Sequence, residues 1–339
     1  MNRCYNTGIE NEVMHMEKFR ELYEKIVRPS RKITDFLPLA VLLSLAVMFI
    51  GSLISVVVMR IPGVRSLFDS LSYSESMSSF MSDYALFFGI WLIILLVMAV
   101  FKGNWPMFKA FVPGRTGNSF PGFLMGIILG FGTNAFCVLM SLLFGDIKLS
   151  YYGFDFVVLL AFAVVIFIQS GAEELLDRFY LYQKLRRRYI SPVVAILANS
   201  IVFALLHVGN PGFTVIAGVQ IFVIGLIFSL MVYYHGNLWG AMSFHAAWNF
   251  TQNIIFGLPN SGIVSEYSIF TLEAASARNG LFYNVSFGVE GSVGACLLLI
   301  ILAAVMIVKN RNMPEYLDVW AETQKKESPK DHTDKTDNS

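Results

Sequence analysis

The chain has 339 residues, of which 55% are hydrophobic and only 14% are charged, and its formal net charge is +1. This composition is typical of a membrane protein with many spanning helices and excludes an ordinary soluble domain. We therefore expect the lipid bilayer as a partner, and we expect no nucleic acid.

Apolar runs long enough to cross a bilayer, about 20 residues each, can be drawn at eight places. They lie at residues 36–59, 85–101, 119–144, 156–176, 191–208, 213–235, 238–257 and 291–308. Only residues 209–212 separate the fifth run from the sixth. The sequence predicts an all-α fold, a polytopic integral membrane bundle of about eight transmembrane helices.

The segments around these runs complete the predicted organisation. Residues 1–35 form an N-terminal segment in which "MEKFRELYEKIV" predicts an amphipathic helix along the membrane surface. Two transmembrane helices at 36–118 precede a helical core at 119–257. A loop at 258–290, a last helix at 291–308 and a tail at 309–339 follow. Because this tail is largely polar and has no apolar periodicity, we predict that it is mostly disordered.

Lysine and arginine concentrate in alternate connections, whereas the other connections are neutral or acidic. The basic residues are Lys18, Arg20, Lys25, Arg28, Arg31 and Lys32 before the first run, Lys102, Lys109 and Arg115 after the second, Lys184, Arg186, Arg187 and Arg188 after the fourth, and Lys309 and Arg311 after the last. The positive-inside rule then predicts a multi-pass protein of the cell membrane with both termini cytoplasmic and the 258–290 loop on the other side.

Small residues in the predicted spans indicate packing. Gly122, Gly126 and Gly130 fall four apart in the third run, which predicts close approach of another helix. Cys137 and Cys296 lie within spans, and the three cysteines of the chain are too scattered for a disulfide framework or a CxxC metal site. We interpret both as packing residues.

The fourth run ends in "QSGAEELLDRFY", which places four ionisable residues in or beside an apolar helix. Such residues cost at least ~2.5 kcal/mol at bilayer depth, so they suggest a function. Glu174 and Arg178 are four apart with the acid first, which favours an ion pair. Glu173 is rotated by about 100° from Glu174 and is predicted to be the freer carboxylate, suited to accept and return a proton. A purely structural cluster is the alternative.

Two later runs carry histidines. In "FALLH" the fifth run combines Phe203 with His207, and in "HAAWN" the seventh run places His245 and Asn249 on one face. Either pattern alone could serve helix packing. Two histidines, two glutamates and an asparagine on three neighbouring spans favour a site instead.

Helix geometry allows these groups to meet. A cytoplasmic turn near Ile190 follows the basic cluster, and Glu173 and His207 are equally distant from it in sequence. The fourth helix must then project beyond the membrane, because residues 156–188 span ~50 Å against a hydrocarbon core of about 30 Å. We expect the site in the cytoplasmic half of the bilayer, with residues 209–212 dipping in as an irregular segment that lines a cavity.

The three motifs, EExxxR in "EELLDR", FxxxH in "FALLH" and HxxxN in "HAAWN", occur in this order. The chain resembles, over about residues 119–257, the CPBP or Abi family of intramembrane proteases, which includes type II CAAX prenyl endopeptidases and bacteriocin-processing or self-immunity proteins. The resemblance implies that Glu173 and His207 activate the attacking water. It implies that His245 and Asn249 stabilise the oxyanion, while Glu174 and Arg178, with Phe203 of the second motif, support the site.

The chain departs from the family pattern at two positions. Asp177 stands where an aromatic or aliphatic residue is usual, and Phe179 stands where glycine is usual. Asp177 could face Glu173 and modulate it, but the interpretation favoured here is that it points toward cytoplasmic water. Phe179 could narrow the approach of a helix or substrate.

A metal ion is an open alternative. Glu173, His207 and His245 would make a plausible three-ligand zinc site with an open fourth position. The HExxH motif is absent, and activation of water by glutamate and histidine needs no ion.

We therefore expect an intramembrane endopeptidase that cuts a membrane-bound or lipid-anchored peptide or protein near the cytoplasmic face. A non-catalytic membrane scaffold or bacteriocin self-immunity factor of the same family is the alternative. A proton-coupled transporter also uses intramembrane acids and histidines, but paired broken helices in corresponding halves are not visible in the sequence.

Overall fold

A computed structural model describes residues 17, 21, 23, 25–28, 32–61, 63–114 and 117–321. Half of the residues of the amphipathic helix predicted at 16–27 lie outside the described residues. Most of the tail for which disorder is predicted, residues 322–339, also lies outside them.

The described helices follow the apolar runs closely. They are α1 (Leu37–Met59), α2 (Val64–Ser70), α3 (Glu75–Ala85), α4 (Phe88–Val100), α5 (Phe120–Leu143), α6 (Phe156–Glu174), α7 (Tyr182–Arg188), α8 (Pro192–Leu206), α9 (Val215–His235), α10 (Leu238–Phe250) and α11 (Val293–Asn310). Two short antiparallel strands, β1 (Leu149–Tyr151) and β2 (Phe270–Leu272), pair in the register Leu149↔Leu272. The predicted all-α polytopic fold is confirmed.

Within the described residues, six helical segments are long and apolar enough to cross a membrane. They are Leu37–Met59, Glu75–Val100, Phe120–Leu143, Phe156–Arg188, Val215–His235 and Val293–Asn310. The fifth predicted span is the 15-residue helix α8, which is about 22 Å long and shorter than a ~30 Å hydrocarbon core. The seventh is the 13-residue helix α10, which a π-helical turn continues to Ile255. The count of eight crossings stays a prediction.

The fourth predicted span is one helix of 33 residues, Phe156–Arg188, as the sequence predicts. The Asp155 side chain caps its start by accepting hydrogen bonds from the Val157 and Val158 backbone N–H groups. Residues Leu175–Leu181 are π-helical and join α6 to α7. A π-turn contains an extra residue, so residues beyond Leu175 no longer follow the 100° spacing of an α-helix.

The predicted glycine stripe packs on α10. A Cβ on Gly126 would overlap the Gly240 carbonyl oxygen and the Ser243 hydroxyl, and a Cβ on Gly130 would overlap the Phe244 carbonyl oxygen. The close approach of another helix to α5 is therefore confirmed. Cys137 is fully buried in the cluster that this packing creates, and Cys296 on α11 is also buried, as predicted.

Three of the basic residues at the end of the long helix, Lys184, Arg186 and Arg187, are buried. Arg187 donates to the Asp35 carboxylate and to the Gly103 carbonyl oxygen, and Lys184 Nζ lies 3.1 Å from Asp35 Oδ1. Arg186 pairs with Glu315 of the segment that follows α11. These bonds tie the start of α1, the α4–α5 connection and the segment after α11 to this end of the helix.

The connection from α10 to α11 folds back onto the bundle. β2 pairs with β1, and the Asn253 side chain donates to the Leu258 and Ile263 carbonyl oxygens. Glu290, in a single 3₁₀ turn at Val289–Gly291, is buried. The segment predicted as a loop therefore contributes to the protein interior.

Candidate active site

A cavity of about 260 Å³ lies between the long helix, α8, α9, α10 and the α10–α11 connection. The four residues predicted as catalytic, Glu173, His207, His245 and Asn249, all line this cavity. Phe203 and apolar residues of α9 form part of its wall. Three separate helices thus bring the predicted site residues together.

Glu174, Arg178 and His245 form a buried cluster beside the cavity. Arg178 Nη1 donates to Glu174 Oε1 at 3.1 Å, and neither side chain is exposed to solvent. The same carboxylate oxygen lies 3.0 Å from His245 Nδ1. The predicted ion pair is confirmed, but the sequence analysis did not foresee that Glu174 also orients His245.

Arg178 is held from three directions. Its Nη2 donates to the Gly225 carbonyl oxygen at 3.0 Å, and its guanidinium carbon lies 4.4 Å from the centre of the Phe203 ring. A Cβ on Gly225 would come within 2.8 Å of Arg178 Nη2. A glycine at this position of α9 therefore leaves room for the buried guanidinium group.

Phe203 contacts both histidines as well as the arginine. Its ring centre lies 4.9 Å from that of His207 and 5.7 Å from that of His245. It therefore separates the arginine from the cavity and limits the orientations of the two imidazoles, which agrees with the supporting position predicted for it.

Glu173 is the less constrained of the two glutamates. Its Oε1 accepts a hydrogen bond from Gln169 at 2.6 Å, whereas its Oε2 has no hydrogen-bond partner and lies 3.8 Å from His245 Nε2. That separation is too long for a direct hydrogen bond, and a water molecule beside both atoms could bond to each. Among the described contacts Arg178 pairs with Glu174 and not with Glu173, which agrees with the prediction that Glu173 is the freer carboxylate.

His207 lies where α8 ends, and it has one free ring nitrogen. Its Nδ1 lies 2.8 Å from the Phe203 carbonyl oxygen. A carbonyl can only accept, so Nδ1 carries the hydrogen, and in the neutral ring Nε2 is left as an acceptor. His207 and Glu173 line the same cavity without a direct hydrogen bond between them in the described part of the chain.

Asn249 is fixed at both ends of its carboxamide. Its Nδ2 donates to Ser170 Oγ at 3.1 Å, and its Oδ1 accepts from Asn260 Nδ2 at 3.1 Å. An amide nitrogen carries two hydrogens, and Nδ2 also donates to Gln169 Oε1 at 3.4 Å, a longer bond that a substrate oxygen could replace. Asn249 lies on the α10 face that carries His245, as predicted.

Asp177 is not where the favoured interpretation put it. Its side chain is fully buried and lines the same cavity as Glu173, and neither carboxylate oxygen has a hydrogen-bond partner. It therefore does not point toward cytoplasmic water. The four-residue spacing from Glu173 keeps both acids on one side of the helix, which was the alternative interpretation.

Phe179 packs away from the cavity. It is fully buried, and its ring centre lies 5.7 Å from that of Phe111 in the connection between α4 and α5. The Phe179 ring fills the space between the long helix and that connection, so it limits how closely these two segments approach each other.

Several polar residues of the site were missed by the sequence analysis. Gln169 and Ser170 precede the two glutamates by one helical turn, and that spacing could have identified them. Asn260, Ser261 and Glu290 also line the cavity. They belong to a segment whose polar residues suggested only an external loop, so no local pattern identifies them.

Glu290 is the third carboxylate at the cavity. It accepts hydrogen bonds from Trp248 Nε1 at 2.9 Å and from the Ser261 backbone N–H at 2.6 Å. Burial raises the pKa of the Glu290 carboxyl above its ordinary value, and the hydrogen bonds from Ser261 oppose that shift.

The zinc alternative can be compared with these positions. In the part of the chain that the structure describes, no three histidine, cysteine, aspartate or glutamate side chains are grouped so that they could hold a metal ion. His245 Nδ1 faces Glu174 and His207 Nδ1 faces a carbonyl oxygen, so the Nε2 atoms of both rings are the ones that could reach an ion. Glu173, His207 and His245 would have to move closer together to share one ion.

Comparison with known proteins adds a family assignment for the region that carries the three motifs. Residues 154–251 match the family described as type II CAAX prenyl endopeptidase Rce1-like. No curated protein and no solved structure matches the chain significantly. The family match supports an intramembrane peptidase of the CAAX-protease type in a multi-pass membrane protein. Residues 154–251 of this chain are therefore similar to the Rce1-like family, in agreement with the resemblance that the three motifs carry.

Proposed function

We propose that this protein is an intramembrane endopeptidase that hydrolyses a peptide bond of a membrane-bound or lipid-anchored substrate near the cytoplasmic face. The observation that carries the proposal is the position of Glu173. Its free Oε2 lies 3.8 Å from His245 Nε2 in the wall of a cavity that His207 and Asn249 also line.

The first step is the activation of water. A water molecule in the cavity gives a proton to Glu173 Oε2, and its oxygen attacks the carbonyl carbon of the scissile bond. His207 Nε2, which makes no hydrogen bond within the described part of the chain, can accept the second hydrogen of that water and orient it.

The second step needs donors for the negative oxygen that forms. Asn249 Nδ2 donates to Ser170 Oγ at 3.1 Å and to Gln169 Oε1 at the longer distance of 3.4 Å, so it can donate to the oxyanion when the longer bond to Gln169 is exchanged for it. His245 can donate from Nε2 when it is protonated, and the carboxylates of Glu173 and Glu174, both within 4 Å, are positioned to balance its charge. Preorganised donors of this kind contribute about 10²- to 10³-fold each.

Collapse of the intermediate breaks the carbon–nitrogen bond. The proton held by Glu173 passes to the leaving nitrogen, and the carboxylate is regenerated. Glu174 and Arg178 take no part in these transfers. They hold His245 and Phe203 in place from behind the cavity.

The test compares membrane peptides and proteins of cells that carry the intact chain with those that carry Glu173→Gln. His207→Ala and His245→Ala are assayed in parallel, and Glu273→Gln, an exposed acid, is the matched control. A prenylated CAAX peptide and the same peptide without the lipid serve as purified probes. We expect a cut that depends on Glu173, His207 and His245 but not on Glu273.

Two outcomes contradict the proposal. Full cleavage by a correctly inserted Glu173→Gln protein would remove Glu173 as the base. If that variant instead complements a deletion phenotype while no cut is found, the protein acts as a non-catalytic scaffold or immunity factor.

Chelation tests the metal alternative in the same assay. We propose that the reaction needs no metal ion, so activity should survive removal of metal with a strong chelator. Loss of activity that added Zn²⁺ restores, together with one bound zinc per chain by elemental analysis, would support the three-ligand alternative.

A further inference from the structure

The wall of the cavity beside Asn249 comes from outside the matched region. Residues 154–251 match the Rce1-like family, whereas Asn260, Ser261 and Glu290 lie beyond it in the α10–α11 connection. Glu290 is 7% exposed, so its carboxylate must find its partners inside the protein. Its contacts therefore indicate what this segment does at the site.

All the polar contacts of Glu290 are with donors. Trp248 Nε1 and Asn260 Nδ2 donate to Oε1 at 2.9 and 3.4 Å. The Ser261 backbone N–H and hydroxyl donate to Oε2 at 2.6 and 2.8 Å. One carboxylate thus connects α10, through Trp248, with the first turn of the following segment.

That turn is held in a conformation that needs support. Ser261 has a φ of 48°, which lies in the left-handed region. Among the described residues other than glycine, Ser261 alone has a positive φ. This conformation costs a residue with a Cβ of the order of 1 kcal/mol. Both hydrogen bonds from Ser261 to Glu290 offset the cost, so the carboxylate fixes the position of the adjacent Asn260.

Asn260 in turn determines the orientation of Asn249. Its Nδ2 donates to Asn249 Oδ1 at 3.1 Å, so the oxygen end of the Asn249 carboxamide is occupied. The nitrogen end then faces Ser170, Gln169 and the cavity. If the carboxamide rotated by 180°, two N–H groups would face each other and the cavity would lose its donor.

We propose that Glu290 is a positioning residue that acts through Asn260 to keep the Asn249 N–H directed at the reacting carbonyl oxygen. The inference rests on the proposed function, because it assigns to Asn249 the role of an oxyanion donor. It extends the site to a segment that lies outside the region similar to the Rce1-like family.

The test is a double-mutant cycle with Glu290→Gln and Asn249→Ala. The probe is the prenylated CAAX peptide, or a synthetic peptide that spans the Glu173-dependent cut. Glutamine cannot accept from both Trp248 and Ser261, so its amide group must disturb one side of the network. We expect kcat to fall about 10- to 100-fold, less than the loss of a donor itself, while KM changes less than about threefold.

The cycle separates positioning from a general structural defect. If Glu290 acts through Asn249, Glu290→Gln should have almost no further effect in the Asn249→Ala protein, because residues acting as a unit are not additive. Asn260→Ala removes the link while leaving the Trp248 and Ser261 bonds to Glu290, and it should reproduce the loss in kcat even if Glu290→Gln folds poorly. Glu273→Gln, on the same segment, should match the intact chain.

The outcomes distinguish this inference from the function on which it rests. Full activity of Asn249→Ala or of Glu173→Gln would contradict the proposed function. If both of those variants are impaired, two results would overturn only the positioning role. In one, Asn260→Ala and Glu290→Gln keep full kcat. In the other, their losses in kcat add independently to the loss caused by Asn249→Ala.

Discussion

At the scale of single residues, burial separates the two adjacent glutamates. Glu174 is fully buried and bonds to both Arg178 and His245, whereas Glu173 keeps one oxygen without a partner at the cavity. A buried charge is tolerated only when it is paired, since desolvation costs several kcal/mol for each ion. Glu174, which orients His245, and Glu173, the proposed base, are therefore distinguished by their hydrogen-bond partners rather than by the chemistry of their side chains.

Replacing Arg178 should be strongly destabilising. Arg178→Met leaves Glu174 as an unpaired buried carboxylate, so we expect a loss of about 3–5 kcal/mol in the free energy of unfolding. Arg278→Met is the matched control, because its side chain is 65% exposed and lies 3.5 Å from Asp146. An exposed pair contributes about 0–1 kcal/mol. Unfolding in detergent measures both, and equal losses would contradict the importance of burial.

Asp177 should contribute less to stability than a well-paired buried acid. Its Oδ2 lies 3.8 Å from Arg178 Nη1, and neither of its oxygens has a hydrogen-bond partner, so this pairing offsets only part of the cost of burial. We expect Asp177→Asn to leave stability at neutral pH unchanged or to raise it by about 1 kcal/mol. Asp35→Asn, which loses its pairing with Arg187 and Lys184, should lower stability. A loss for Asp177→Asn would mean that the pairing with Arg178 outweighs the cost of burial.

At the scale of secondary-structure elements, close backbone contacts position the site. The α5 glycines allow α10 to approach, and α10 carries His245 and Asn249. The long helix carries both glutamates, and its π-helical segment begins directly after them. Small changes in how α5, α10 and the long helix pack should therefore move the catalytic groups relative to one another.

Adding one methyl group to α5 should have opposite effects at two glycines. Gly126→Ala would overlap the Gly240 carbonyl oxygen, so we expect it to destabilise the protein by about 1–3 kcal/mol and to reduce cleavage. At Gly132 an added Cβ meets no atom within 4 Å, so Gly132→Ala should be neutral or stabilising by up to about 1 kcal/mol. Thermal unfolding and the cleavage assay check both. A neutral Gly126→Ala would show that the helices can separate without consequence.

At the scale of the whole molecule, the exposed surface is that of a membrane protein. Large apolar side chains such as Phe49 on α1, Leu143 on α5 and Ile301 on α11 are exposed in the isolated chain. Lipid is the solvent that such a surface requires. At one end of the bundle, Arg186, Arg187 and Lys184 are buried in ion pairs, so their charges also hold the chain together there.

The orientation in the membrane is a prediction of the charge distribution. With Cys4 replaced by serine, we expect a membrane-impermeant thiol reagent to label Val285→Cys in intact cells but Met313→Cys only after permeabilisation. Both positions are exposed, and the native Cys137 and Cys296 are buried. Labelling in the reverse pattern would invert the topology and place the proposed site near the opposite face of the membrane.

Local patterns predicted much of the fold and the site. Apolar runs identified the long helices, the spacing of Glu174 and Arg178 predicted their ion pair, and the α5 glycines predicted a helix contact. The three motifs contain several residues that line the cavity, namely Glu173, Phe203, His207, His245 and Asn249. Each of these features depends on residues close in sequence, where helical periodicity connects position with direction.

Only the tertiary structure decided which polar groups are buried and with what partners. Asp177 turned out to line the cavity, most of the basic cluster turned out to be buried, and Glu290 joined the site from 41 positions beyond Asn249 in the chain. Such contacts join segments far apart in sequence, and burial depends on what packs against a residue from elsewhere. Hydropathy and spacing along one helix contain no information about these contacts between distant segments.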